Sequence, residues 1–204
     1  MNVKLISYTQ EPESGDDFKS LEHATFTFLI EGISRAYSYQ LVRHSMASSS
    51  LQSHKYITRD RFDFIIPESI ETSDVEIYDN VFPEYDDGDI PLGECYRRMM
   101  ELIGDFYGRL VEEGIPEEDA RYVLPNACCT NLVIIMNACE LKHFFSLRCC
   151  EKAQWEIKQV AEKMLARVKE VAPSLFEDAG AQCKALGYCP EANGCGRYPK
   201  KVKE

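Results

Sequence analysis

A chain of 204 residues is long enough to bury a core without disulfide staples, and 45% hydrophobic with 28% charged residues is an ordinary globular composition. The net charge of −11 opposes broad binding to nucleic acid, which relies on a basic surface, but leaves room for a small anion held by a few local cations. The longest uncharged apolar stretch, residues 132–139, falls far short of the roughly 20 residues of a membrane span. The opening residues lack the apolar core of a signal peptide, so no membrane partner and a cytoplasmic location are expected.

In chain order, residues 3–8 alternate well enough for a first strand, and the acidic residues 11–19 read as a turn. Ala24, Phe26, Phe28 and Ile30 alternate with polar neighbours, the period-2 pattern of a half-buried strand, which Gly32 is expected to end. Ser34 is a candidate N-cap for a helix over 35–43, followed by a serine-rich loop or short irregular helix over 46–52. Residues 59–66 alternate again. Residues 68–91 form an acidic, proline-bearing excursion expected at the surface.

From Leu92 the apolar residues recur at three-four spacing up to Gly114, which predicts a long helix. Pro116 with Glu117, Glu118 and Asp119 suits a further helix start. Residues 131–147 are apolar nearly all round and read as a buried central helix, and residues 152–171 as an amphipathic helix stopped by Pro173. Nine cysteines, an odd number with two adjacent pairs, read as free thiols in a reducing compartment. The expected class is α/β (α+β): a small, mostly antiparallel or mixed sheet with long helices, one domain over 1–179 and an irregular cysteine-bearing tail over 180–204.

Chemistry-bearing residues gather in a few places. Gln40 and Arg43 share a helix face, and Ser53, His54 and Lys55 follow after the serine-rich loop. An Arg, a Lys, a Gln and a Ser suit a phosphate and a pyrimidine edge; a capped helix with a solvated loop explains the same residues. Asn137 and Arg148 lie eleven residues apart, about three helical turns, on one stripe with Leu141 and Phe144. Such polar groups need partners, and either a ligand or the protein itself supplies them. Arg121 alone reads as a surface residue. Cys183, Cys189 and Cys195 are three soft donors, one fewer than structural zinc uses, so no metal is assigned.

Taken in order, several motifs resemble the flavin-dependent thymidylate synthase family. The family's hallmark is Arg-His-Arg, seven residues, then Ser; here it reads Arg43-His44-Ser45, seven residues, then Ser53. Leu21-Glu22-His23, Ala120-Arg121 through Pro125, Asn137-Ala138, Leu147-Arg148 and Ala153-Gln154-Trp155-Glu156-Ile157 resemble further family segments. The resemblance implies a homotetramer with shared active sites that methylates dUMP, or a related uracil nucleotide, to dTMP. Methylenetetrahydrofolate would give the carbon and NADPH the hydride, relayed by FAD. No protein nucleophile is implied; the uracil ring is polarised by preorganised charge.

Carried over by position, Gln40, Arg43, Ser53, His54, Lys55, Arg121 and Arg148 fall on the nucleotide site, with Arg148 facing the uracil as the catalytic residue. Arg43, His44, Ser45, Asn137 and His143 fall on the flavin site. Ser45 replaces the second hallmark Arg, Cys139 replaces an Arg beside the flavin, and Leu51 replaces an acidic or amide residue. Lys55 stands for Arg, and Asp17 and Lys19 stand for a His and a small hydroxyl residue. The join between the first strand and the Glu22-His23 segment is also shorter than in the family, so this reads as a divergent, N-terminally shortened member. An alternative implied by these departures is a non-catalytic paralogue that binds a nucleotide or partners an intact synthase.

Overall fold

The computed structural model describes residues 1–9, 21–44, 47–51, 62–78 and 88–201. In chain order the elements are β1 Asn2–Tyr8, β2 Thr25–Ser34, α1 Arg35–Leu41, β3 Ser48–Leu51, α2 Glu68–Glu71, β4 Glu76–Tyr78 and β5 Asp89–Pro91. They continue with α3 Leu92–Glu112, α4 Glu117–Ala120, a 3-10 turn Arg121–Val123, β6 Cys129–Asn137, α5 Ala138–Arg148, α6 Trp155–Val171, α7 Pro173–Phe176 and α8 Gln182–Leu186. The chain divides into two compact units, one of Met1–Ile33, Tyr37–Leu51 and Asn131–Glu204, the other of Ser34–Ala36 and Gln52–Thr130.

The first unit is built on a four-stranded sheet in the order β1-β2-β6-β3. The alternation seen in the sequence sets its inner face: Phe26, Phe28 and Ile30 of β2 are fully buried. β1 pairs antiparallel with β2, Val3 opposite Ile30 and Leu5 opposite Phe28, with a register shift between Leu5 and Ser7. Helix α6 buries Ile157, Val160, Ala161, Met164 and Val168, a three-four stripe, and packs on β1, α5 and α7. The Gln154 side chain caps it by accepting from the amides of Glu156 and Ile157, both at 3.1 Å. Pro173 opens α7, and Phe176 enters the core edge-on to Phe26 at 5.3 Å and Phe145 at 6.1 Å.

Residues 131–137 belong to a strand, not to a helix: in β6, Thr130, Leu132, Ile134 and Met136 are buried at every second position. The opposite face carries Val133 and Ile135, apolar as well, so the period of two was hidden by a continuous apolar run. The helix begins only at Ala138. The serine-rich segment supplies an edge strand: Ser48, Ser49, Ser50 and Leu51 pair antiparallel with Ile135, Ile134, Val133 and Leu132. Partner backbone, not side-chain pattern, decides that strand. Gly32 does not end β2. It lies inside the strand at φ 65°, its amide donating to Asn131 Oδ1 at 3.0 Å, and the strand runs on to the buried Ser34. Within the tail expected to be irregular, α8 is helical and Cys189 bridges to Lys200.

In the second unit α3 is the spine, burying Cys95, Met100, Gly104 and Tyr107. The Phe62 ring lies against Gly104, close enough that a Cβ there would meet it at 3.5 Å in ordinary van der Waals contact. The acidic excursion holds structure of its own: α2 packs on α3, and β4 pairs antiparallel with β5, whose Ile90 is buried. Of the alternating residues 59–66, those described make one bridge, Phe64 with Cys128.

Candidate active site

The chemistry of the first unit centres on α5. Asn137, the last residue of β6, caps this helix, its Oδ1 accepting from the Glu140 amide at 2.8 Å. Its amide nitrogen donates to no described residue, which leaves both donor protons for other use. Leu141, Phe144 and Phe145 point into the core. Glu140, Phe144 and Arg148 are successive i, i+4 positions and therefore share one stripe. Across that stripe lies the imidazole of His44, which is 7% exposed and edge-on to Phe144 at 5.0 Å.

The two His44 nitrogens face opposite ends of the stripe. Arg148 Nε donates to His44 Nε2 at 3.1 Å, and His44 Nδ1 stands 3.7 Å from Glu140 Oε1. A guanidinium only donates, so Nε2 must offer a lone pair and the ring proton must sit on Nδ1. Burial lowers the His44 pKa to about 4, helped by the charges of Arg148 and His143. The ring is therefore neutral at pH 7. The contact with Glu140 joins a dipole to a carboxylate rather than two full charges.

The structure thus brings His44, Asn137, His143 and Arg148 together around α5. His143 is exposed, with its ring 6.4 Å from that of His44. Arg148 is half-buried, and its two terminal amino groups make no hydrogen bond to any described residue. Gln40 is half-buried near the end of α1, and Arg43 is exposed just beyond it. Arg121 belongs to the second unit, is exposed, and donates from Nε to the Glu118 carbonyl at 3.1 Å. Ser45, Ser53, His54 and Lys55 lie outside the described residues, as do Asp17 and Lys19. The expected single helical stripe from Asn137 to Arg148 is replaced by a cap at one end and a last-turn cation at the other. The motif reading passes over Glu140, whose eight-residue spacing from Arg148 through Phe144 was the available signal.

None of the nine cysteines forms a disulfide. Burial pushes Cys128 up to about 11 and Cys149 up to about 12, so neither supplies a thiolate at neutral pH. Arg148 also borders a cavity of about 660 Å³ lined by Cys150, Cys183, Cys189, Cys195 and Arg197. Among the described residues no three His, Cys, Asp or Glu side chains are placed to hold a metal ion. No helix among them is long and apolar enough to cross a membrane.

A family model described as thymidylate synthase complementing protein matches residues 4–174. The chain belongs to this family. Relatives named flavin-dependent thymidylate synthase agree along nearly its whole length. The protein from Geobacter sulfurreducens is 47% identical over 180 residues, covering 87% of this chain and 70% of its own length. That from Nitratidesulfovibrio vulgaris is 43% identical over 190 residues, covering 92% and 74%. That from Clostridium tetani is 43% identical over 206 residues, covering 98% and 77%. Family membership accounts for the order of the motifs from Glu22-His23 to Ala153-Gln154, and the mixed helices with a small sheet agree with it.

Proposed function

We propose that this protein is a flavin-dependent thymidylate synthase that methylates C5 of dUMP, with methylenetetrahydrofolate as carbon donor, NADPH as reductant and FAD as cofactor. The observation that carries the reading is the anchoring of Arg148. Its Nε is committed to the neutral His44 while its terminal amino groups remain available. A half-buried cation so fixed is suited to polarise a uracil carbonyl and stabilise negative charge developing on the ring, with little reorganisation during reaction. The family resemblance carries Arg43, Lys55 and Arg121 over as the cations for a nucleotide phosphate; of these, Arg43 and Arg121 are exposed.

The polar groups near α5 suit a flavin: the spare amide donors of Asn137 fit ring carbonyls, and Arg43 fits a pyrophosphate. Bound there, FAD would supply hydride transfer between NADPH and the one-carbon unit. The chain's own groups bind and orient; in this reading it works as a cytoplasmic homotetramer with sites shared between subunits. The non-catalytic alternative rests on the departures at Ser45 and Cys139, and relatives named as synthases do not favour it.

The test is conversion of dUMP to dTMP with all three partners present, alongside the visible absorption of the protein after adding FAD and dialysing. Turnover with a retained flavin band supports the proposal. A colourless protein that binds dUMP without turnover would replace it by the alternative. Arg148→Ala should lower kcat by about 10²–10³, the usual cost of removing one preorganised charge stabiliser.

A further inference from the structure

We propose that Glu140 is a positioning residue for this reaction, acting through the imidazole of His44 to set the orientation of the Arg148 guanidinium. The inference rests on the reading above, in which Arg148 faces the uracil. It goes beyond it by giving a role to Glu140, and by giving His44 a duty apart from flavin contact.

Glu140, Phe144 and Arg148 recur every four residues, so the acid and the base stand on one face about 12 Å apart along the axis. A direct ion pair at that separation is out of reach. His44 closes the gap: its ring packs on Phe144 at 5.0 Å and points Nε2 at Arg148 and Nδ1 at Glu140. The acid itself is placed by Asn137, which holds the Glu140 amide. The chain of contacts therefore runs from the capped N-terminus of α5 to the cation in its last turn.

The orienting effect is a matter of tautomer. Neutral imidazole has two forms. With the proton on Nε2, the ring would face the Arg148 Nε–H donor with a donor of its own, and the contact would be lost. A carboxylate on the Nδ1 side stabilises the form with the proton on Nδ1, which leaves Nε2 free to accept. The other charged or titratable groups facing His44 among the described residues are Arg148 and His143, both on α5. Each disfavours an added positive charge on the ring, so the neutral form persists while Glu140 selects the tautomer. A merely space-filling histidine would need no particular tautomer.

The experiment uses the full chain labelled with ¹⁵N. A long-range ¹H–¹⁵N spectrum reports the tautomer of each of its four histidines, with His44 assigned through His44→Gln. The wild type should show His44 neutral with the proton on Nδ1. Glu140→Ala should move His44 toward the Nε2 tautomer and lower kcat about tenfold, a usual loss for a carboxylate that orients a histidine, with KM for dUMP changed less than about twofold. Glu140→Gln should restore both readouts in part, since its amide oxygen still turns a partial negative charge toward Nδ1–H across the 3.7 Å contact. A wild-type His44 carrying its proton on Nε2 overturns the proposal, and needs no variant to fold. Unchanged tautomer and kcat in Glu140→Ala overturn it equally. A wild type without turnover overturns the parent reading instead, a result distinct from an active enzyme indifferent to Glu140.

Discussion

His44 carries a pH dependence that belongs to the residue itself. Its pKa is about 4 in the folded protein against 6.5 in a model peptide. Between those values the unfolded chain binds the extra proton, so stability falls as pH drops from about 6.5 toward 4 and is constant above that window. At pH 5 the loss is about 2 kcal/mol relative to pH 7, or about 4–8 °C in Tm for a chain of this size. His44→Gln should flatten that part of the pH–Tm curve; a variant as steep as the wild type would show that other groups titrate there. The thiols give a second residue-scale contrast. Cys139 and Cys195 are exposed, whereas Cys128 and Cys149 are buried with raised pKa values. Native protein at pH 7.5 should therefore label at Cys139 and Cys195 first with a thiol reagent, and at Cys128 and Cys149 only on unfolding. Mass-spectrometric mapping over time reads the order.

At the scale of elements, β6 and α5 form one continuous device. A strand with β-branched residues on both faces runs into a helix whose first turn is fixed by the strand's last side chain, Asn137. Asn137→Ala should cost about 1 kcal/mol, the usual worth of such a cap, and lower Tm by about 2–4 °C. A larger loss would indicate that freeing the Glu140 amide disturbs more than one turn. The same element shows where periodicity misled. Leu132, Val133, Ile134, Ile135 and Met136 contain no polar position, so a helix and a two-faced strand predict the same string. The helices α3 and α6 were legible because polar residues interrupt their stripes at regular spacing, and β2 because Thr25 and Thr27 separate Phe26 and Phe28. The edge strand Ser48–Leu51 carries no pattern at all; it exists because β6 offers unpaired backbone beside it.

For the whole molecule, the first unit's core depends on residues far apart in sequence. Phe176, from the short helix after Pro173, meets Phe26 and Phe145 edge-on. Phe176→Ala should destabilise by about 3–5 kcal/mol, measured by denaturant unfolding, because the cavity would open among rings fixed by three different elements. A loss below about 1 kcal/mol would mean that α7 refolds to fill the space. The order of family motifs was readable because each motif is local. The family match over residues 4–174 confirms that order. Sequence by itself determined the class of fold, the long amphipathic helices, the strand through Phe26, Phe28 and Ile30 and the family, since all of these are written in local spacing and motif order. Only the tertiary structure decided that residues 131–137 are strand, that the serines form an edge, and that Glu140 and Arg148 meet through His44. Those depend on which backbone and which ring arrive from about a hundred residues away, and no local pattern records that arrival.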